Sequence, residues 1–181
     1  MSSKETLIQL LRKRSVRRGN FILASGKSSN IYIDARLTTM SPEGLKLIGS
    51  YALEQMRLRK WAPDSVGGLT LGADPVAYAI SRASADTSSP VRAFTVRKEP
   101  KTHGTGRLIE GPFLAGDRIV IIEDVVTTGK SAIQAIDAVE KAGGLIIGVL
   151  SVVDREEGGR EAVSAYGFDV MTLTTLTELT A

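Results

Sequence analysis

The stretch IVIIEDVVTTGKS, residues 119–131, constrains the fold of this chain more than any other segment. Its four β-branched residues, Ile119–Ile122, predict a strand, and two carboxylates, Glu123 and Asp124, follow directly. A short hydroxyl-rich loop around Gly129 then leads into an alanine-rich pattern with helical spacing. A strand, two acids, a loop and a helix in this order predict one unit of an α/β fold.

The rest of the chain repeats this alternation of strands and helices. Helices are predicted over about Lys4–Arg18, Pro42–Lys60, a segment that starts at Asp74 or Pro75, Lys130–Ala142 and Arg160–Tyr166. Strands are predicted at Phe21–Leu23, Ile31–Ile33, Ser65–Thr70, Val91–Val96, Arg118–Glu123, Leu145–Val153 and Asp169–Leu173. The pattern favours an α/β fold with a mostly parallel sheet flanked by helices, in a single domain covering residues 1–181.

Composition excludes several classes of site. The chain of 181 residues has no cysteine and one histidine, His103, which excludes thiolate metal sites and multi-histidine zinc sites. No apolar run approaches the roughly 20 residues that span a bilayer, and the N-terminus lacks the apolar core of a secretory signal. We therefore expect a cytoplasmic protein with no membrane partner.

The positive charge is concentrated in two segments. One is RKEPKTHGTGR, residues 97–107, which follows the predicted strand Val91–Val96 and overlaps a glycine- and proline-rich loop from Glu99 to Gly116. A loop of that length in a compact domain is often an active-site lid, and we expect one here with a hairpin at its base. The other segment is N-terminal and contains five cations: Arg12, Lys13, Arg14, Arg17 and Arg18. Neither segment is interleaved with aromatic residues, so a solvated helix face is favoured over nucleic-acid binding for the second.

The acids and the loop of residues 119–131 have complementary chemistry. Carboxylates such as Glu123 and Asp124 accept hydrogen bonds from vicinal hydroxyls, and free amides at a helix start bind phosphate. Together they match the two ends of a ribose 5-phosphate, although a helix cap with fortuitous acids is the alternative. A nucleotide P-loop is excluded, because the glycine it needs five positions before Gly129 is Asp124. No GxGxxG dinucleotide motif follows a strand either.

Several motifs then resemble one family. IVIIEDVVTTGKS resembles the 5-phosphoribosyl 1-diphosphate (PRPP) motif of type I phosphoribosyltransferases, which use this motif to bind the sugar phosphate. RKEPKTHGTGRLIEG is similar to the catalytic loop of the orotate phosphoribosyltransferase branch, SGKSSNIYIDAR to its N-terminal hairpin, and VVDREEGG to its segment after a core strand. The resemblance runs from about residue 20 to 160 and implies the type I fold, with a small N-terminal hairpin or hood and a mobile catalytic loop.

The resemblance also implies a reaction and a set of residues. The reaction joins orotate to PRPP with Mg²⁺, giving orotidine 5′-monophosphate and pyrophosphate in pyrimidine biosynthesis. The implied PRPP-binding residues are Arg97, Lys98, Lys101, His103, Glu123, Asp124, Val125, Val126, Thr127, Thr128, Gly129, Lys130 and Ser131. The implied orotate-binding residues are Thr127 and Arg155, and the implied catalytic residues are Lys101, His103 and Asp124. Mg²⁺ is expected to bind mainly through PRPP, near Glu123 and Asp124. A homodimer that shares its lid across subunits is implied as well.

The sequence departs from the family pattern at three positions. Ala24 stands where many relatives have lysine, and Leu71 and Gly72 stand where others have a Tyr-Lys pair. The residues with which relatives make two contacts to the phosphates of PRPP are therefore absent at these positions. Two other functions compete with the first: a purine phosphoribosyltransferase, and a PRPP-sensing regulator that binds RNA or DNA. Arg155 and the RK-x-x-K-x-H pattern of residues 97–103 argue against the purine enzyme. The intact loop with Lys101 and His103 argues against the regulator, which is supported only by the basic N-terminal segment.

Overall fold

The computed structural model describes residues 1–22, 28–99 and 108–181. The helices are α1 (Ser3–Arg14), α2 (Arg36–Thr39), α3 (Pro42–Leu58), α4 (Ala73–Ser84), α5 (Lys130–Lys141), α6 (Gly159–Ala165) and α7 (Leu176–Thr180). The strands are β1 (Val16–Ile22), β2 (Ser28–Ile33), β3 (Ser65–Leu69), β4 (Arg92–Val96), β5 (Ile109–Glu110), β6 (Arg118–Val126), β7 (Leu145–Asp154) and β8 (Val170–Thr175).

Six strands form the central sheet in the order β5-β4-β3-β6-β7-β8. All neighbours are parallel except β4 and β5, which pair antiparallel at the edge. The predicted mostly parallel sheet is therefore confirmed, and so is the hairpin expected at the base of the long loop. Strands β1 and β2 form a separate antiparallel hairpin, as the N-terminal pattern predicts.

The strand order reverses between β3 and β6. The chain runs outward from β3 to β4 on one side, then returns to place β6, β7 and β8 on the other side. Loops that leave two adjacent strands in opposite directions open a crevice at the carboxyl ends of those strands, and ligands of open α/β sheets bind there. The topology thus selects the segments after β3 and β6 as the walls of a site.

Helices cover both faces of the sheet and bury alternate residues of β6. Val120 and Ile122 pack with α1, α3, α4 and α7 in one apolar cluster. Ile119 and Ile121 pack with α5 and α6 in the second cluster. All four side chains are fully buried, as expected for a strand whose successive side chains point to opposite, covered faces.

The N-terminal prediction was wrong in its boundary. Helix α1 ends at Arg14, and Arg17 and Arg18 lie in β1 instead of on the helix. The cause is tertiary: the Ser15 side chain is fully buried and its hydroxyl lies 2.7 Å from that of Thr38. The chain turns at Ser15 so that β1 can pair with β2. The short helices α2 and α7 were not predicted, because four or five residues are too few for a helical period.

None of the helices within the described ranges is long and apolar enough to cross a membrane.

Candidate active site

A cleft of about 600 Å³ lies at the carboxyl ends of β3 and β6. Its lining comes from the end of β2 and the segment after it, the end of β3 and the loop after it, Lys98, most of the stretch from Glu123 to Ser131, and Arg155. The predicted site residues that line it are Lys98, Glu123, Asp124, Val125, Thr127, Thr128, Lys130, Ser131 and Arg155. Most of the residues selected from the sequence are therefore brought together by the fold.

The acid pair is more enclosed than its place in the sequence indicated. Strand β6 continues through Val126, so Glu123 and Asp124 belong to the strand instead of following it. Glu123 is 7% exposed, and burial, followed by the charge of Asp124, raises its pKa to about 8. Glu123 is therefore mainly protonated at pH 7 in the unliganded protein.

Asp124 is half-buried beside it. Burial raises the pKa of this carboxyl group, and a hydrogen bond from the Val125 backbone N–H to its Oδ1 (2.9 Å) acts in the opposite direction. The pair thus offers two adjacent carboxyl groups, and burial raises the pKa of both. Vicinal hydroxyls, which both donate and accept, can satisfy both groups.

The loop after β6 leads directly into the first turn of α5. Gly129 has φ +79° and precedes the first helical residue, Lys130. Because Gly129 has no side chain to cap the helix, the first-turn amides are available to an anion. The loop is supported from behind by Gly159: a Cβ there would lie 2.6 Å from the Thr127 carbonyl oxygen and 2.8 Å from the Gly129 nitrogen. Val126 and Gly129 do not line the cleft, and their contribution is to the path of the backbone.

Asp74 fixes the loop on the opposite wall. Its carboxylate accepts hydrogen bonds from the hydroxyls of Thr70 (2.7 Å) and Thr95 (2.8 Å), and thereby joins the carboxyl ends of β3 and β4. Thr70, Leu71 and Gly72 line the cleft, and the peptide bond between Thr70 and Leu71 is cis. The loop after β3, which faces the acid pair, is therefore held in place by Asp74 and Thr95, whose side chains do not line the cleft.

Arg155 extends the cleft beyond the acids and the loop. Its side chain is 7% exposed and pairs with Glu157, while its backbone N–H donates to the Val126 carbonyl oxygen at 3.0 Å. Thr127 lines the same cleft. The two residues predicted to bind the base thus share one cavity with those predicted to bind the sugar phosphate.

The predicted basic loop is described only in part. Lys98 lines the main cleft, and its carbonyl oxygen accepts a hydrogen bond from the Gln134 side chain at 3.3 Å. Arg97 lies in an adjoining pocket, with its backbone N–H bonded to the Leu108 carbonyl oxygen at 2.8 Å. Lys101 and His103 lie outside the described residues.

Sequence reasoning missed one group in the cleft. Asp34 and Arg36 line it and form a bidentate ion pair, with Nε to Oδ1 at 2.8 Å and Nη2 to Oδ2 at 3.1 Å. The hydrogen bonds from Arg36 lower the pKa of Asp34. Both residues belong to the motif SGKSSNIYIDAR, whose resemblance to the N-terminal hairpin of the family was the signal that could have identified them.

The N-terminal basic segment has structural partners. Arg12 donates to the carbonyl oxygens of Leu179, Glu178 and Ala181 at the end of α7, at 3.1, 2.6 and 2.9 Å. Arg14 pairs with Glu43 at 3.1 Å. Two of the five cations are thus explained without a nucleic-acid ligand.

No group of three or more histidine, cysteine, aspartate or glutamate side chains in the described ranges could hold a metal ion. Mg²⁺ commonly binds through one or two carboxylates together with oxygens of a phosphorylated substrate. The pair of Glu123 and Asp124 fits that mode.

Comparison with known proteins agrees with this geometry. A family model described as the phosphoribosyl transferase domain matches residues 40–174. The orotate phosphoribosyltransferase of Aquifex aeolicus (strain VF5) is 47% identical over 182 residues, covering 99% of this chain and 98% of that protein.

Solved structures give the same result. The Mycobacterium tuberculosis H37Rv orotate phosphoribosyltransferase in complex with Fe(III) dicitrate has a TM-score of 0.88 and 41% identity, covering 99% of this chain and 100% of that one. The same enzyme in complex with PRPP has a TM-score of 0.83 and 39% identity, again over 99% of this chain and 100% of the other.

Proposed function

This chain belongs to the phosphoribosyl transferase domain family and, within it, to the orotate phosphoribosyltransferases, and from that membership we propose how its cleft transfers a 5-phosphoribosyl group from PRPP to orotate. The observation that carries the proposal is the meeting of three chemistries in one cleft. The acid pair, the amide loop before α5 and the buried Arg155 all line it. A ribose 5-phosphate joined to a planar carboxylic acid needs these three.

Each end of the ligand is assigned to a group. Glu123 and Asp124 bind the 2′- and 3′-hydroxyls of the ribose, and the backbone of residues 127–131 binds the 5′-phosphate. Arg155 pairs its guanidinium with the carboxylate of orotate, because a planar fork of N–H donors matches a planar carboxylate. Thr127, which lines the same cleft, is assigned to orotate together with Arg155.

The chemical step breaks the bond between C1 of the ribose and the diphosphate oxygen, which leaves with the bonding electrons. A nitrogen of orotate forms the new bond to C1 and releases its proton, giving orotidine 5′-monophosphate and pyrophosphate. Positive charge grows on the ribose and negative charge on the leaving group. Cations on the diphosphate stabilise that charge most where water is excluded. We assign this role to Arg97, Lys98 and Lys101, and assign His103 as a donor to the leaving group.

Mg²⁺ is part of the proposal. Glu123 and Asp124 would hold it together with oxygens of PRPP, because they are two adjacent acids of the cleft lining and, unlike Asp34, are not paired with an arginine. When bound, the ion neutralises part of the charge of the diphosphate.

We further propose that the domain spans residues 1–181 and acts in the cytoplasm as a homodimer, with the lid reaching the neighbouring subunit. The exposed side chains of Leu37 and Met40, 42% and 46% accessible, support an interface beside Arg36 at the cleft mouth. Neither nucleic acid nor membrane is needed as a partner.

The decisive assay follows the loss of orotate absorbance when the protein is mixed with PRPP, Mg²⁺ and orotate. Turnover of orotate supports the proposal. Turnover of a purine base with no loss of orotate would contradict it. PRPP binding without turnover of either base would favour a sensor.

A further inference from the structure

Three acids lie at the end of β7 or directly after it, and each contacts a different group. Asp154 Oδ1 accepts the backbone N–H of Glu156 at 2.8 Å. Glu156, with φ +57°, accepts the backbone N–H (2.8 Å) and the hydroxyl (2.7 Å) of Thr177 at the start of α7. These contacts fix the backbone on both sides of Arg155. The third acid, Glu157, contacts the Arg155 side chain itself.

The pairing between Arg155 and Glu157 uses one edge of the guanidinium. Nε and Nη2 of Arg155 both lie 2.8 Å from the same oxygen, Glu157 Oε1. No other side chain or carbonyl in the described ranges accepts a hydrogen bond from this guanidinium. The end of the fork, formed by Nη1 and the second N–H of Nη2, is thus left for another acceptor. Two parallel N–H donors on that end suit a carboxylate.

The side chains of Arg155 and Glu157 are both largely shielded from solvent. The Arg155 side chain is 7% exposed and that of Glu157 is 28% exposed. A long cationic side chain without a fixed partner would sample several rotamers and would have to be ordered when the ligand binds. An acceptor already bonded to Nε and Nη2 removes that cost, because the plane of the fork is set before the ligand arrives.

We propose that Glu157 is a positioning residue that orients Arg155 and so sets the preference of the cleft for a base carrying a carboxylate. This inference rests on the proposed function, which assigns the carboxylate of orotate to Arg155. Glu157 acts through its acceptor oxygen and does not itself touch the substrate. Its negative charge alone would repel a second carboxylate, so charge and position have opposite effects on the ligand.

Two nucleotides separate recognition of the carboxylate from all other binding. Orotidine 5′-monophosphate and uridine 5′-monophosphate share ribose and phosphate and differ by one carboxylate. The ratio of their dissociation constants, measured by titration calorimetry with the full chain, reports on that group alone. Damage to the fold or to the phosphate loop would weaken both nucleotides and leave the ratio unchanged.

Two replacements separate position from charge. Glu157→Gln and Glu157→Ala remove the same negative charge, but glutamine keeps a side-chain oxygen that accepts from Nε and Nη2. In Glu157→Ala we expect the ratio of the two dissociation constants to move towards 1 by about tenfold, roughly the value of one charge-assisted hydrogen bond. In Glu157→Gln we expect a far smaller change in that ratio. Glu161→Gln, a charge removal at an exposed position of α6, is the control and should leave the ratio unchanged.

Equal changes of the ratio in Glu157→Ala and Glu157→Gln would overturn the inference, because the position of the acceptor oxygen would then not matter. An unchanged ratio in both variants would overturn it as well. A wild-type protein without any preference for orotidine 5′-monophosphate would instead overturn the proposed function of Arg155, and the two failures are distinguishable.

Discussion

Gly72 packs directly against the carboxylate of Asp124. A Cβ at position 72 would lie 2.5 Å from Cγ of Asp124 and 2.7 Å from its Oδ2, closer than van der Waals contact allows. The loop after β3 and the acid pair of β6 therefore approach each other across the point where the strand order reverses. The glycine that departs from the Tyr-Lys pattern is thus explained by the space it leaves for an acid of the site.

Gly72→Ala should weaken PRPP binding. The added methyl group must displace the Asp124 carboxylate or the loop, at a cost of about 1–3 kcal/mol. We expect the KM for PRPP to rise about tenfold or more. Gly116→Ala, at the opposite end of β6 and at φ +88°, is a control that strains the backbone away from the cleft. An equal rise in KM for both variants would show that lost stability, and not the contact with Asp124, is responsible.

Asp124→Asn should weaken PRPP binding in the presence of Mg²⁺ while the protein stays folded. Loss of a charged acceptor for the ribose hydroxyls is expected to lower the affinity by about tenfold or more, measured by calorimetry. Asp86→Asn removes one charge at an exposed position two residues after α4 and serves as the matched control. An unchanged affinity in Asp124→Asn would refute the assignment to the ribose.

The stability of the unliganded protein should depend on pH through Glu123. Its pKa is about 8 in the folded state against a reference value of 4.5, so the folded chain binds more protons between these values. The contribution of Glu123 to the free energy of unfolding is therefore greatest below pH 4.5. It falls as the pH rises towards 8, with a slope that approaches about 1.4 kcal/mol per pH unit. Above pH 8 the contribution is constant.

Glu123→Gln keeps the shape of the neutral acid and cannot ionise. Urea unfolding from pH 5 to pH 9 should show that the variant gains stability relative to the wild type as the pH rises. Parallel curves for the two proteins would mean that Glu123 ionises as easily in the folded chain as in the unfolded chain.

Lys101→Ala should lower kcat far more than it lowers the affinity for PRPP. A cation that stabilises the leaving diphosphate acts mainly in the transition state, and losing such a group typically costs roughly a hundredfold in kcat. Lys141→Ala, at the exposed end of α5, is the control. Equal losses in kcat/KM and in PRPP affinity would indicate a uniform binding role for Lys101.

Arg12→Ala should destabilise the fold by about 1–2 kcal/mol, because three carbonyl oxygens at the end of α7 lose their donor. Lys13→Ala, at the neighbouring exposed position of α1, should change the unfolding free energy by less than about 0.5 kcal/mol. Loss of RNA or DNA binding in either variant, with stability unchanged, would revive the regulatory alternative.

The parallel sheet could be predicted because its two central strands, β6 and β7, are long and β-branched and because strands alternate with helical patterns along the chain. The acid pair and the loop before α5 could be located because they interrupt that pattern at Glu123. The extension of β6 to Val126 could not be, since it depends on pairing with β7 at Asp154. The neutral state of Glu123 follows from burial that only the packed structure reveals.

The remaining omissions share one cause. Asp34 and Arg36 reach the cleft only because the β1–β2 hairpin brings the short helix α2 beside it. The hydrogen bond between Asp74 and Thr95 joins residues that are 21 positions apart along the chain. Long-range contacts of this kind leave no local periodicity in a sequence.

The packing of Gly159 against the phosphate loop has an evolutionary consequence. A substitution at Arg155, which lines the cleft, can change the base that is accepted while the sugar-phosphate cradle on β6 is retained. Gly159 cannot join that variation, because any side chain there would collide with Thr127 and Gly129. Gly159, the first residue of α6, therefore couples the segment that carries Arg155 to the backbone of the phosphate loop, and a substitution there would disturb both.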